Sequence, residues 1–372
     1  MLEIKEGLCY DDLLLVPQYS EIESRSQIDL SVKMSNLPFR HPIIVANMAS
    51  LVGIEMMQAI MRNAGLAILH RFMAQKEQLD IIKSLEKWDH NLFGVSIGVQ
   101  PYDLNNFIQF YELGVRIVCV DIAHGNSKHC IDTVQTLRQQ YSDLFIIAGN
   151  VATGDGAKRL WLAGADAVKV GVGPGSLCST RIETGNGVPQ LTALMEVANI
   201  KKQLTTPTFT HYVNIHKDKS GEWQCDERNK PAQIDRPIYI IADGGCKSAG
   251  DLVKSLCFAD MTMSGNLFAG CSETPAPVHY LNGIPHKAYV GSSTHKTNHI
   301  EGVEAWVACT DTYENVLTKL LENIQSGCYY QGCANLTELK ESPTFIKITP
   351  AGLKESHPHD VVINKDGHGI RK

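Results

Sequence analysis

The sequence predicts an α/β fold, a (β/α)8 barrel, on three observations. Eight short apolar runs recur along the 372 residues. Roughly twenty residues separate most of them, enough for a helix and two loops. Seven of the eight runs close on polar or glycine residues.

The runs cover 42–47, 66–71, 93–98, 117–122, 145–151, 167–172, 238–243 and 261–266. They are rich in Val and Ile and nearly continuous in hydrophobicity, as strands covered on both faces are. Eight such units in order imply a barrel closed by parallel strands, with a short lid after strand eight. A doubly wound sheet would need a glycine fingerprint after its first strand. Ala46-Asn47-Met48-Ala49-Ser50 has none.

Asn47 closes the first run, Arg71 the second, Asp121 the fourth and Asn150 the fifth. A glycine-rich loop follows the sixth, Asp243-Gly244-Gly245-Cys246 closes the seventh, and Gly265-Asn266 the eighth. In a barrel these positions converge on one mouth, where barrel enzymes keep their sites. A single strand-end Asp is ordinarily a turn or helix cap. Seven strand ends of this kind are not explained that way.

The loop after the sixth run reads Gly171-Val172-Gly173-Pro174-Gly175-Ser176-Leu177-Cys178-Ser179-Thr180-Arg181. Its glycines allow backbone N–H groups to face an anion. Cys178 at its tip is a candidate nucleophile for covalent chemistry on a phosphorylated substrate. Taken alone, the loop reads as a turn with a buried structural thiol. Its place at a barrel mouth favours chemistry.

Composition excludes other classes. The chain is 44% hydrophobic and 20% charged, as soluble globular proteins are. A net charge of -6 without a basic patch argues against nucleic acid as a partner. No apolar run is long enough to span a bilayer, and the first residues lack a signal-peptide layout. The eleven cysteines are scattered and form no CxxC pair, which supports neither zinc nor a disulfide framework. A reducing cytoplasm is the expected location.

Residues 1–372 are read as a single barrel catalytic domain. Two segments lie outside its repeat. Residues 205–236 are polar, with an expected hairpin formed by 208–215 and 222–224. This insertion of unassigned role should sit opposite the mouth, as an oligomer contact or surface decoration. Residues 280–306 are rich in Gly, Ser and His, and read as a loop serving as a lid. His295 and His299 stand four apart, which suits a metal only on a helix, so no metal site is expected.

These motifs resemble the IMP dehydrogenase / GMP reductase family over most of the chain. The segment 171–181 is similar to the family's catalytic loop, continued by Gly185-Asn186-Gly187-Val188-Pro189-Gln190. Asp243-Gly244-Gly245 and Gly265-Asn266-Leu267-Phe268-Ala269-Gly270 resemble its phosphate-binding loops. Tyr10-Asp11-Asp12, Ser24-Arg25-Ser26 and Asp121-Ile122-Ala123-His124-Gly125-Asn126-Ser127 are similar as well. The resemblance implies a (β/α)8 barrel, a homotetramer and a purine nucleotide substrate.

Within the family the sequence is most like a bacterial-type GMP reductase. The regulatory CBS domain that dehydrogenases carry after the second strand is missing, since Arg71-Phe72-Met73-Ala74-Gln75 runs directly into a helix. The dehydrogenase lid carries an Arg-Tyr dyad that activates water, and no Arg occurs between Arg236 and Arg371. The lid is short, with six residues between Thr294 and Glu301. Gly187-Val188-Pro189-Gln190 and Phe268-Ala269-Gly270 read equally well as dehydrogenase.

The resemblance therefore implies NADPH-dependent reductive deamination of GMP to IMP and ammonia. The alternatives are an IMP dehydrogenase without CBS modules and a nucleotide-binding protein without turnover. It implies Cys178 as nucleophile, with Thr180 and Glu301 as the proton-transfer pair; Glu304 lies close enough to be confused with Glu301. Ser176, Gly244, Gly245, Gly265 and Asn266 would hold the 5′-phosphate, with Tyr289, Gly291 and Ser292 beside the nucleotide. Asp243 would take the ribose hydroxyls. Asn47, Arg71, Asp121, Asn150 and Gly171 would face the nicotinamide and purine. Carbonyls at Gly173, Gly175 and Cys178 could hold K+, as in parts of the family. Cys246 is expected to be a buried structural thiol. Asn266 replaces a common serine, and Tyr289-Val290-Gly291 departs from the usual lid sequence.

Overall fold

Each of the eight apolar runs forms a strand. The strands are Ile43–Val45, Ala67–Leu69, Phe93–Ile97, Ile117–Asp121, Phe145–Val151, Ala167–Val170, Tyr239–Asp243 and Met261–Ser264. The computed structural model describes residues 4–205, 215–217, 223–225, 234–291 and 303–359. The strands join in one parallel sheet that runs from the second through the eighth and on to the first. The first and second then meet side by side, which closes the (β/α)8 barrel. Almost every strand residue is buried, because side chains fill the barrel on one face and helices cover the other.

A helix follows each strand: Ile54–Arg62, Gln75–Ser84, Pro101–Glu112, Lys128–Gln140, Gly154–Ala163, Gln190–Thr205, Ala249–Leu256 and Tyr313–Tyr330. Local chemistry sets several of their ends. Thr153, Ser248 and Thr312 accept the orphan N–H groups of Gly156, Asp251 and Asn315. Pro101 opens the third helix, where its missing N–H costs nothing. Residues 70–74 alone join the second strand to its helix.

Two buried aspartates tie the closed end of the barrel. Asp166 Oδ2 accepts the Ile146 N–H at 2.7 Å and Asp260 Oδ2 the Ile240 N–H at 2.8 Å. Arg138 and Arg236 flank Asp166, and Lys201 and Lys340 flank Asp260. Burial would raise the Asp260 pKa, but its two ammonium partners outweigh burial and hold it at about 2. No helix among the described residues is long and apolar enough to cross a membrane.

The described part of the segment expected as a loop after the eighth strand, 280–291 and 303–306, is largely sheet. Val278–Leu281, Ile284–Val290 and Glu304–Ala308 form a three-stranded antiparallel unit. Asn282 and Gly283 turn the first hairpin with φ of 52° and 77°, the conformation that Asn-Gly favours. The Gly, Ser and His content farther on outweighed that signal in the sequence. The expected hairpin before the seventh strand is also shifted. Ile215–Lys217 pairs with Trp223–Cys225, so Lys217 lies in a strand rather than the turn. Residues 206–214 lie outside the described residues.

Candidate active site

A cavity of about 740 Å³ opens at the C-terminal ends of the strands. Cys178, Asn47, Arg71, Asp121, Asn150, Lys169, Asp243 and Tyr289 all line it.

The Cys178 loop is built around close backbone approaches. Gly171 has φ 154°, and a Cβ there would overlap the Asp243 carbonyl oxygen. Gln190 donates from Nε2 to the Val170 carbonyl at 2.7 Å and to the Asp243 carbonyl at 3.3 Å. Arg181 runs under the loop and donates to the Val188 carbonyl at 2.5 Å. Its side chain fills the space where a Cβ of Gly173 or Gly187 would sit. The Gly175 carbonyl, one of the expected cation ligands, accepts the Cys178 N–H at 3.0 Å. That turn presents the exposed Cys178 thiol, which donates to Thr180 Oγ1 at 3.1 Å.

The other thiols are placed differently. Cys119, Cys130, Cys246, Cys257, Cys271, Cys328 and Cys333 are buried, Cys9 and Cys309 are half-buried, and Cys178 is exposed. Burial pushes Cys130, Cys246 and Cys328 up to about 12, so they stay protonated and unreactive. Cys246 sits beside Thr262 as a buried thiol, as its sequence context suggested.

Six polar side chains form two hydrogen-bonded groups on the floor. Asn47 Nδ2 donates to Asp121 Oδ2 at 3.1 Å and to Ser96 Oγ at 2.7 Å. Arg71 Nε donates to the Asp121 carbonyl at 3.0 Å. Asn150 Nδ2 donates to Asp243 Oδ2 and to the Gly171 carbonyl, each at 2.8 Å. The structure thus brings the expected Asn47, Arg71, Asp121, Asn150 and Gly171 together with Asp243.

The glycine pair after the seventh strand lies against the Cys178 loop. Gly244 and Gly245 have φ of 87° and 86°, which glycine adopts without strain. A Cβ on either would lie 3.3 Å from Pro174. The Gly244 N–H donates to the Met263 carbonyl at 3.1 Å, so this residue offers shape rather than a donor. Gly265 is buried under Tyr289, whose hydroxyl occupies the space a Cβ would need. Burial pushes the Tyr289 phenol up, and the Asp243 charge adds to this. Ser176, Tyr289 and Gly291 line the cavity; the expected Gly244, Gly245, Gly265 and the exposed Asn266 are not among its lining residues.

The lid sheet is tied to the barrel and to the Cys178 loop. Ser50 Oγ donates to the Val290 carbonyl at 3.2 Å, and the Val303 N–H donates to the Leu177 carbonyl at 3.1 Å. Glu304 is exposed and pairs with Val290 in the sheet. Ser292, His295, His299 and Glu301 lie outside the described residues. No cluster of potential metal ligands occurs among the described residues.

Sequence reasoning missed Lys169. Its ammonium is buried on the cavity floor, 2.6 Å from Asp121 Oδ1 and 3.1 Å from Asp243 Oδ2. A lysine in the middle of an apolar strand was the available signal. A buried charge needs a partner, and the two strand-end aspartates supply it.

Comparisons with known proteins give the family of the chain. The family model for the IMP dehydrogenase / GMP reductase domain matches residues 7–211 and 224–359. An inosine-5'-monophosphate dehydrogenase of Nitrosopumilus maritimus (strain SCM1) is 28% identical over 507 aligned positions, covering 97% of this chain and 100% of that protein. One of Chlorobaculum tepidum is 36% identical over 295 residues, 73% of this chain and 53% of that protein, so the match spans about half its length. A GMP reductase of Streptococcus agalactiae serotype III (strain NEM316) is 34% identical over 339 residues, 89% of this chain and 92% of that protein. The chain belongs to the IMP dehydrogenase / GMP reductase family of purine-nucleotide oxidoreductases.

Proposed function

We propose that this protein is a GMP reductase, which removes ammonia from C2 of GMP and delivers hydride there to give IMP. The observation that carries the direction is in the lid. Oxidation of IMP ends in hydrolysis, for which the dehydrogenase branch uses an Arg-Tyr dyad, and residues 237–370 contain no arginine.

The Cys178 sulfur attacks C2 of the bound purine and forms an S–C2 bond. Thr180 relays a proton from the lid carboxylate Glu301 to the departing amine, and the C2–N bond breaks with ammonia as leaving group. NADPH supplies the hydride for C2 when bound. Breakage of the S–C2 bond returns a thiolate to Cys178 and releases IMP. GMP, NADPH and two protons thus balance IMP, NADP+ and ammonium.

The residues present fit such a reductant. Amide, guanidinium and carboxylate groups of Asn47, Arg71, Asp121 and Asn150 stand beside the apolar Phe72 and Met73 on the cavity wall. That donor set suits a carboxamide ring and its ribose. Asp243 would hold the nucleotide ribose, and Ser176 with the glycines of 244–245 and 265 would surround the phosphate. A cytoplasmic homotetramer with one barrel per chain completes the reading.

A second reading, IMP dehydrogenase using NAD, is favoured by the relatives bearing that name and by Gly187-Val188-Pro189-Gln190. One assay separates the two. Purified protein is given GMP with NADPH, then IMP with NAD, while nicotinamide absorbance is followed. Oxidation of NADPH that requires GMP supports the reductase. NADH appearing with IMP establishes the dehydrogenase instead.

A further inference from the structure

We propose that Lys169 is a positioning residue that couples the nucleotide side of the cavity to the cofactor side, by holding Asp121 and Asp243 on one ammonium. The inference rests on the proposed reading that Asp243 binds the nucleotide ribose and Asp121 faces the cofactor.

The barrel register explains how one side chain reaches both carboxylates. Asp121 pairs with Gly149, and Gly149 pairs with Lys169, so the three lie in one row across adjacent strands. Residues in one row of a parallel sheet face the same side. A Cβ at Gly149 would lie 2.7 Å from the Lys169 Cβ. The missing side chain at Gly149 therefore opens the path across the fifth strand from Lys169 to Asp121. Asp243 lies one strand away on the other side, two residues beyond Ile241, the register partner of Lys169.

Amides extend the network outwards. Asn47 donates to the remaining Asp121 oxygen, and Asn150 donates to the same Asp243 oxygen that Lys169 contacts. The order across the floor is Asn47, Asp121, Lys169, Asp243, Asn150. Two half-buried carboxylates share one buried cation. Burial opposes the Lys169 charge, but the Asp121 and then the Asp243 carboxylate outweigh it and raise its pKa. Any change at Asp121 therefore redistributes the ammonium towards Asp243. An ion pair that merely held the barrel together would predict no such transfer between ligand sites.

The test is a binding titration of GMP and of IMP in the absence of nicotinamide cofactor. Wild type, Asp121→Asn and Lys169→Met are compared. Asp121→Asn removes a group from the cofactor wall, yet the nucleotide Kd should rise threefold or more, because the ammonium then draws Asp243 away from the ribose. A smaller rise, or none, overturns the inference. Lys169→Met should raise the KM for nucleotide and for cofactor together, each about tenfold; an effect on one alone also overturns it. If Lys169→Met does not fold, the Asp121→Asn titration decides. Wild-type protein that binds neither nucleotide overturns both this inference and the reading beneath it, whereas tight wild-type binding with an unchanged Asp121→Asn variant overturns this inference only.

Discussion

The Cys178 thiol donates to the Thr180 hydroxyl across 3.1 Å, two residues along the same loop. This places the proposed nucleophile and the proposed proton relay within hydrogen-bond reach of each other. Cys178→Ala should therefore abolish turnover, by about 10³-fold or more (about 4 kcal/mol of barrier), while nucleotide binding persists. Thr180→Val should lower kcat by roughly 10²-fold or more, with little change in nucleotide Kd, since it removes a proton relay rather than a binding contact. Steady-state kinetics paired with direct titration check both. A Cys178→Ala enzyme with near-normal kcat would exclude covalent chemistry at this loop.

Gly171 fixes how the same loop leaves the barrel. Its φ of 154° lies where L side chains rarely go, and a Cβ would overlap the Asp243 carbonyl. The obstacle is backbone, so no rotamer change relieves it. Gly171→Ala should cost about 2–3 kcal/mol of stability and displace both the Cys178 loop and Asp243. Urea unfolding gives the first effect. The second appears as a joint loss of kcat and nucleotide affinity. Gly185→Ala is the control: φ is 70° there, but nothing lies within 4 Å of the added Cβ. It should retain near-normal kinetics, with only a small strain penalty.

Strand positions were legible because both-face burial leaves near-continuous apolar runs, such as Phe145–Val151. The mouth residues Asn47, Arg71, Asp121 and Asn150 were legible because polar residues interrupt those runs at their C-terminal ends. Lys169 was not, because a charge inside a strand acquires meaning only when its partners are known, and these come from strands four and seven. The lid sheet was hidden for a different reason. Its outer strand Val278–Leu281 is exposed along its length, so it lacks the alternation that marks a half-buried strand. The Gly244 N–H could not be assigned from sequence either, since its acceptor, Met263, depends on the tertiary register.

His41 makes stability depend on pH near neutrality. It is 1% exposed, its Nε2 has no hydrogen-bond partner, and its ring packs against Gly65. Burial, helped by the Arg40 charge, holds its pKa down to about 4. In the unfolded chain the imidazole titrates near 6.5. Above that value both states are neutral and stability is full. As pH falls from 6.5 towards 4, the unfolded chain takes up a proton that the folded state refuses, and stability falls. Between pH 7 and pH 5 this group should remove about 2 kcal/mol. The check is urea unfolding of wild type and His41→Leu at both pH values. The stability difference between them should shift by that amount in favour of the variant at pH 5. A constant difference would show that His41 titrates normally when folded.

Lys287 ties the lid to the barrel. Its ammonium is buried and donates to three carbonyls, of Cys271, Ser272 and Thr274, at 2.9, 2.8 and 2.9 Å. Those carbonyls lie just beyond the Gly265 turn, and Lys287 stands two residues before Tyr289, which covers Gly265. One side chain therefore sets the height of the lid strand over the expected phosphate loop. Lys287→Met keeps the length of the stem but leaves the carbonyls without their charged donor. It should cost about 2–4 kcal/mol and lower Tm by roughly 3–5 °C. Because the lid strand then rides free, limited proteolysis should cut within 278–290 faster than in wild type, and the nucleotide KM should rise more than kcat falls. Lys287→Arg retains the charge and should recover part of the Tm. Equal loss in both variants would mean that the close fit of the lysine stem, rather than its hydrogen bonds, holds the lid.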